Sequence, residues 1–210
     1  MADWVTISSL ATAGGTLVLA VATFSSVKSA NRSARIAELS LLAGLRPVLI
    51  PSREDDSDER IRFGDGQFLT VPGHGAAIES AGGNVYLAIA LRNGGSGLAV
   101  IHGWRAEVGE RTGSVRPELS EFRRQTRDLY IPAGETGFWQ GAIRDHDDPD
   151  LEGLRAAAET QARVMVDLVY GDHEGGQRTI ARFGITPWPD VEGERAEVLR
   201  YWNVDREDPR

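Results

Sequence analysis

The hydrophobic pattern of this chain has two regimes. From Trp4 to Val27 there are 24 residues without a charge, and Lys28, Arg32 and Arg35 follow at once. At 1.5 Å rise per residue a helix of that length covers about 36 Å, enough to cross a hydrocarbon core of about 30 Å with some tilt. Val5, Ile7, Leu10, Leu17, Val18, Leu19, Val21, Phe24 and Val27 supply the apolar surface, diluted by Ser and Thr whose hydroxyls can turn back to the helix backbone. Beyond the span Ala34, Ala37, Leu41 and Leu45 recur at three- and four-residue steps, with Ile36, Leu39 and Leu42 widening the apolar side. The period predicts a helical stalk ended by Gly44 and Pro47, since Pro cannot continue the hydrogen-bond ladder. Its leucines need a cover: the chain's own domain, a membrane surface or a second copy.

From Pro47 the period drops to two. Val48–Ile50, Arg60–Phe63 and Gln67–Val71 read as strands, the last two a hairpin about Gly64-Asp65-Gly66. The best alternation sets Val85, Leu87, Ile89 and Leu91 against Tyr86, Ala88, Ala90 and Arg92, which predicts a half-buried strand. Further strands are expected over Leu98–Val108, Arg127–Ile131, Gly137–Ile143, Arg163–Tyr170 and Arg178–Ile185. Turns stand at Asn93–Gly97, Gly109–Gly113 and Pro132–Glu135. Leu151–Glu159 reads as a short helix started by Asp150, and the tail as either a helix at Glu194–Arg200 or a strand at Val198–Trp202. Seven to nine short strands with Gly-rich turns and no βα alternation predict a mainly β chain whose soluble part, residues 47–210, is an antiparallel β-sandwich. Residues 1–27 are then the transmembrane helix and 28–46 the juxtamembrane stalk.

The flanks of the span add a direction. Positive charge stays on the cytoplasmic side, and three basic side chains follow the span while only Asp3 precedes it. The expected placement is a cytoplasmic membrane, with residues 4–27 in the bilayer, the N-terminus outside and the large domain inside. A buried core helix is one alternative, but a run this long is hard to bury in one small domain; a cleaved signal peptide is the other, and it calls for a basic stretch ahead of the apolar core. Ala11 and Gly15, four apart, give a small-residue face on which spans could pair, and the stalk offers a second route to a homo-oligomer.

Charge then narrows the partners. Residues 1–46 carry a net +2 and residues 47–210 a net −10, which argues against nucleic acid as a ligand of the domain. There is no cysteine, so disulfides, thiolate metal sites and cysteine nucleophiles are excluded. Twenty-two of the 23 basic residues are Arg, a bias that points to a G+C-rich, bacterial coding sequence. No nucleophile elbow, phosphate-cradling Gly-Lys-Ser/Thr, H-E-x-x-H or dinucleotide fingerprint is present, and the four histidines are isolated in sequence. The expectation is a protein that is not an enzyme and needs no cofactor.

Two constellations stand out. Asp145, Asp147 and Asp150 could hold Ca²⁺ or Mg²⁺ but lack the Gly and distant Glu of an EF-hand loop, so a solvated turn competes with an ion-sensing one. Trp188, Tyr201 and Trp202 near the end are either lids over the core or partner-facing anchors.

The order of features also carries a likeness. An uncharged span, an Arg-bearing stalk, Arg46-Pro47-Val48, then Leu91-Arg92-Asn93-Gly94-Gly95-Ser96-Gly97-Leu98-Ala99 and Pro132-Ala133-Gly134-Glu135 resembles uncharacterised bacterial single-pass membrane proteins. The ending Arg200–Asp205 with Asp208-Pro209-Arg210 is similar too. The resemblance implies an immunoglobulin-like soluble domain and no catalytic residue. The function expected is a membrane-tethered interaction or accessory protein that presents its acidic sandwich to an unknown protein partner. The alternatives are a divalent-cation or ligand sensor, or an oligomeric membrane effector.

Overall fold

A computed structural model describes residues 3–109, 115–188 and 193–208. Gly109 is thus the last described residue of the predicted Gly109–Gly113 turn, and Pro209 and Arg210 also lie outside. The chain divides into two compact units, Met1–Gly44 and Leu45–Arg210.

The first unit is one α-helix, α1 (Trp4–Gly44), without a break at residue 27. It is long and apolar enough to cross a membrane. Leu10, Leu17, Leu19 and Phe24 are each about 70% exposed, and Leu39 and Leu41 are exposed as well. The Thr12 hydroxyl donates to the Ser8 carbonyl and Thr16 to that of Thr12, each at 2.9 Å. These are the backbone-returned hydroxyls expected of polar residues in a span.

The second unit is mainly β and antiparallel. Its strands are β1 (Leu49–Pro51), β2 (Glu59–Arg62), β3 (Phe68–Val71), β4 (Gly75–Ala81), β5 (Asn84–Asn93), β6 (Ala99–Val108), β7 (Arg123–Ile131), β8 (Thr136–Ile143), β9 (Val164–Gly171), β10 (Thr179–Pro187) and β11 (Glu194–Asn203). One sheet runs β1-β5-β4-β11-β10-β9-β6-β7, with β8 on the other side of β5. Among the described residues, Glu194 pairs with Ala76 and Arg195 with Gly75, which joins β11 to β4. The sheet is curled, and side chains from both halves meet in one core. Val85, Leu87, Ile89, Leu91 and Trp139 come from one half, Trp104, Val166, Leu168, Tyr170 and Phe183 from the other. Helix α2 (Leu151–Thr160) closes an end with Leu151, Leu154 and Ala157, the apolar stripe of an amphipathic helix.

Two expectations need correction. Strand β5 is buried on both faces, not one: Tyr86, Ala88 and Ala90 lie under the β2–β3 hairpin with Ile61, Phe63, Leu69 and Val71. Small alanines there make room for a second layer. Helix α2 is not capped by the Asp150 side chain, whose residue has helical backbone angles and makes no cap bond. The tail follows the second of its two readings, the strand at Val198–Trp202, and extends it to the ten residues of β11, paired with β10 through a bulge at Arg182/Phe183. Strand β4 carries too weak an alternation to be foreseen.

Glycines and one amide fix the start of this unit. The carbonyls of Leu45 and Arg46 lie 1.7 and 2.2 Å from where a Cβ on Gly97 and Gly95 would stand, so only glycine allows this approach. Asn93, fully buried, accepts from the N–H groups of Val48 (3.1 Å) and Gly95 (3.0 Å). It donates to the carbonyls of Gly97 (2.6 Å) and Ile131 (3.0 Å). Its backbone N–H donates to Glu135 and its carbonyl accepts from Gly134, which ties the Pro132–Glu135 turn into the same knot.

Candidate interaction surfaces

Part of the acidic loop is held by bonds within the chain. Arg123 on β7 bonds Asp148 (2.7 Å) and Asp150 (2.6 Å), while Asp145 accepts from the Asp147 N–H at 3.0 Å and Asp148 from the Asp150 N–H at 2.9 Å. This is an Asx-turn geometry closed by one guanidinium. Among the described residues no group of three or more His, Asp or Glu side chains is set to hold a metal ion.

The aromatic residues of the tail divide. Trp202 is 3% exposed, packs on Val169 and Ile180, and is flanked by the guanidinium groups of Arg182 (4.9 Å) and Arg200 (5.6 Å). It is a lid, not a partner-facing anchor. Arg182 under it is paired in parallel with Asp167 at 2.7 and 2.8 Å, both side chains 2% exposed, and Arg105 reaches the same carboxylate at 3.4 Å. Tyr201, half-buried, donates to the Leu49 carbonyl at 2.6 Å. Burial holds its phenol, like that of Tyr170, above the usual range. Leu49 N–H in turn donates to the Tyr170 hydroxyl at 3.2 Å, and Arg46 bonds Thr179 (2.9 Å) and Asn203. Tyr201 therefore belongs to the anchorage of residues 46–49. Trp188 is half-buried, with the Arg195 guanidinium 5.6 Å from its ring centre.

A further concavity gave no signal as a motif. Strands β7 and β8 follow one another through the Pro132–Glu135 turn, yet they pair with β6 and β5 and not with each other. Between them lies an open groove of about 800 Å³. Trp104 lines it and packs edge-on against the buried Trp139 at 5.4 Å, and a Cβ on Gly141 would strike both rings. Arg62, Arg123, Arg124, Arg127 and Arg144 line it, with Asp65 as the single acidic residue among the described ones. Arg144 bonds Asp65 at 2.7 Å, and Tyr86 donates to the same carboxylate at 2.8 Å. The Arg144 bond holds the Asp65 pKa down at about 2. No carboxylate partner of Arg62, Arg124 or Arg127 is found among the described residues. The side-chain amide of Gln125 donates to the Gln140 carbonyl at 3.1 Å, but the buried Oε1 atoms of both Gln125 and Gln140 have no donor. A basic groove on a domain of net −10 is a local reversal of the field that composition describes.

Sequence reasoning had the three arginines of Arg123–Arg127 in plain view; what it lacked was the pairing that leaves this strand at an edge. Matches to the chain are found neither among protein-family models nor among curated proteins or solved structures.

Proposed function

We propose that this chain is a single-pass membrane protein of a bacterial cytoplasmic membrane that tethers an interaction domain, with its N-terminus outside and its domain in the cytoplasm. One observation carries the reading: the described apolar side chains of α1, from Ile7 to Leu41, lie exposed along a span of membrane length. Left in water, that surface forgoes about 25 cal/mol for every Å² that an apolar surrounding would take up. A bilayer removes the cost. The basic residues Lys28, Arg32 and Arg35 support the orientation. The domain is read as an immunoglobulin-like sandwich without catalytic function, supported by its antiparallel strands and by a core shared between two halves of the sheet. Holding it at the membrane raises the local concentration of whatever it binds.

Deleting residues 1–27 tests the tether. The expected result is a folded domain that leaves the membrane fraction; retention on membranes would sink the idea. Because the chain has no cysteine, single substitutions Asp3→Cys and Ser120→Cys report topology with an impermeant maleimide. Labelling of the first but not the second in intact cells is expected.

Self-association through the span is a second reading. A Cβ on Gly14 or Gly15 would meet nothing within 4 Å, so no packing inside the chain requires glycine there. If Ala11 and Gly15 form a helix–helix face, Gly15→Ile lowers the yield of cross-linked dimer in membranes.

A further inference from the structure

We propose that the groove between β7 and β8 receives an acidic, extended segment of a partner protein, which adds to the free edge of β8 as a new strand. The proposal rests on the reading of the domain as a docking module and gives that module its ligand chemistry.

The backbone supplies the first argument. Register pairs Leu87 with Gly141, Ala88 with Gln140 and Tyr86 with Ala142. In an antiparallel ladder residues alternate between pointing at the partner strand and away from it. Gln140 points away, because its carbonyl accepts from Gln125 on β7. Ala142, two residues on, shares that direction. Strand β8 thus presents backbone N–H and C=O groups to the groove, where no strand takes them among the described residues. The Gln125 carboxamide stands on one of them as an N–H of an added strand would.

The side chains supply the second. Buried Oε1 atoms of Gln125 and Gln140 lack donors, and a peptide brings a row of N–H groups. An unpaired strand edge with pockets for alternate side chains is the established physical basis of strand addition.

Charge supplies the third. Arg62, Arg124 and Arg127 stand at the groove without carboxylate partners among the described residues, on a domain otherwise strongly acidic. Carboxylates alternating along an extended segment would meet guanidinium groups, and the flat fork of Arg suits carboxylate. An oligonucleotide would also suit the arginines. It offers no backbone donors in strand register, and the remaining surface would repel its phosphates.

The test uses the full chain in neutral-lipid nanodiscs and a fluorescently labelled, alternating Glu–Val octapeptide. Expected are saturable binding that weakens with salt, a loss of about tenfold or more in Arg124→Glu/Arg127→Glu, and slowed amide exchange at Gln140 and Ala142. Both arginines are exposed, so the double variant keeps its fold, which circular dichroism verifies. No saturable binding at millimolar peptide, equal binding of a Lys–Val peptide, tighter binding of a single-stranded oligonucleotide, or binding that leaves β8 exchange unchanged would each overturn the proposal. Membrane fractionation does not involve the groove. Failure of the titration with the chain still on membranes removes the groove and leaves the tether, and a full chain found soluble does the reverse.

Discussion

Asn93 spends both ends of its carboxamide on backbone groups from three segments. Asn93→Ala leaves those groups unpaired in the interior and is expected to cost about 3 kcal/mol, read by urea unfolding. Asp167 makes a sharper case. Removing its charge strands Arg182, so Asp167→Asn should lose roughly 3–5 kcal/mol, whereas Asp167→Leu with Arg182→Met should recover most of it. A double variant as unstable as the single one would show that the pair itself, not the burial of an unpaired charge, carries the stability. Asp65 contributes to acid sensitivity. Its folded pKa, about 2, lies below the ordinary 3.8 because Arg144 bonds it. The unfolded chain therefore takes up the proton first. The contribution is complete above about pH 4 and is lost as pH falls through 2. Asp65→Asn should flatten that part of the stability–pH curve while changing stability at neutral pH by no more than about 1 kcal/mol, as befits a partly exposed pair.

At the scale of elements, what could be read in advance follows from local periodicity. Strands β5, β6, β8, β9 and β10 and helix α2 announce themselves because each alternates, or repeats, against one continuous core. The same rule misleads over the second face of β5, where Ala88 and Ala90 look half-exposed until the β2–β3 hairpin, more than fifteen residues earlier, lies across them. Strand β4 escapes notice since Gly75-Ala76-Ala77 has no alternation to offer. The groove was out of reach for another reason: Arg62, Arg124 and Arg144 come from separate segments and meet only through pairing order. The turn Asn93–Gly97 was legible as a turn, but not as the clamp on Leu45 and Arg46. Gly97→Ala forces a Cβ onto the Leu45 carbonyl. The expected outcome is a lower melting temperature and faster proteolytic cleavage around residues 45–48 than in the parent chain.

For the whole molecule, the division at Gly44/Leu45 sets where the domain begins. Arg46 lies on the domain side, bonded to Thr179 and Asn203, and buried Pro47 follows it. A chain starting at Leu45 should therefore unfold at a clearly higher temperature than one starting at Val48, although only three residues separate them. Equal melting temperatures would mean that this anchorage contributes nothing measurable.

The unpaired edge of β8 has one more consequence, and it concerns crowding. Tethered copies share a two-dimensional sheet of lipid and collide often, and a bare strand edge is the surface by which identical domains polymerise. Here the approach to that edge is guarded by positive charge, so two copies meeting groove to groove repel each other. The arginines that would welcome an acidic stranger also make the domain a poor template for itself.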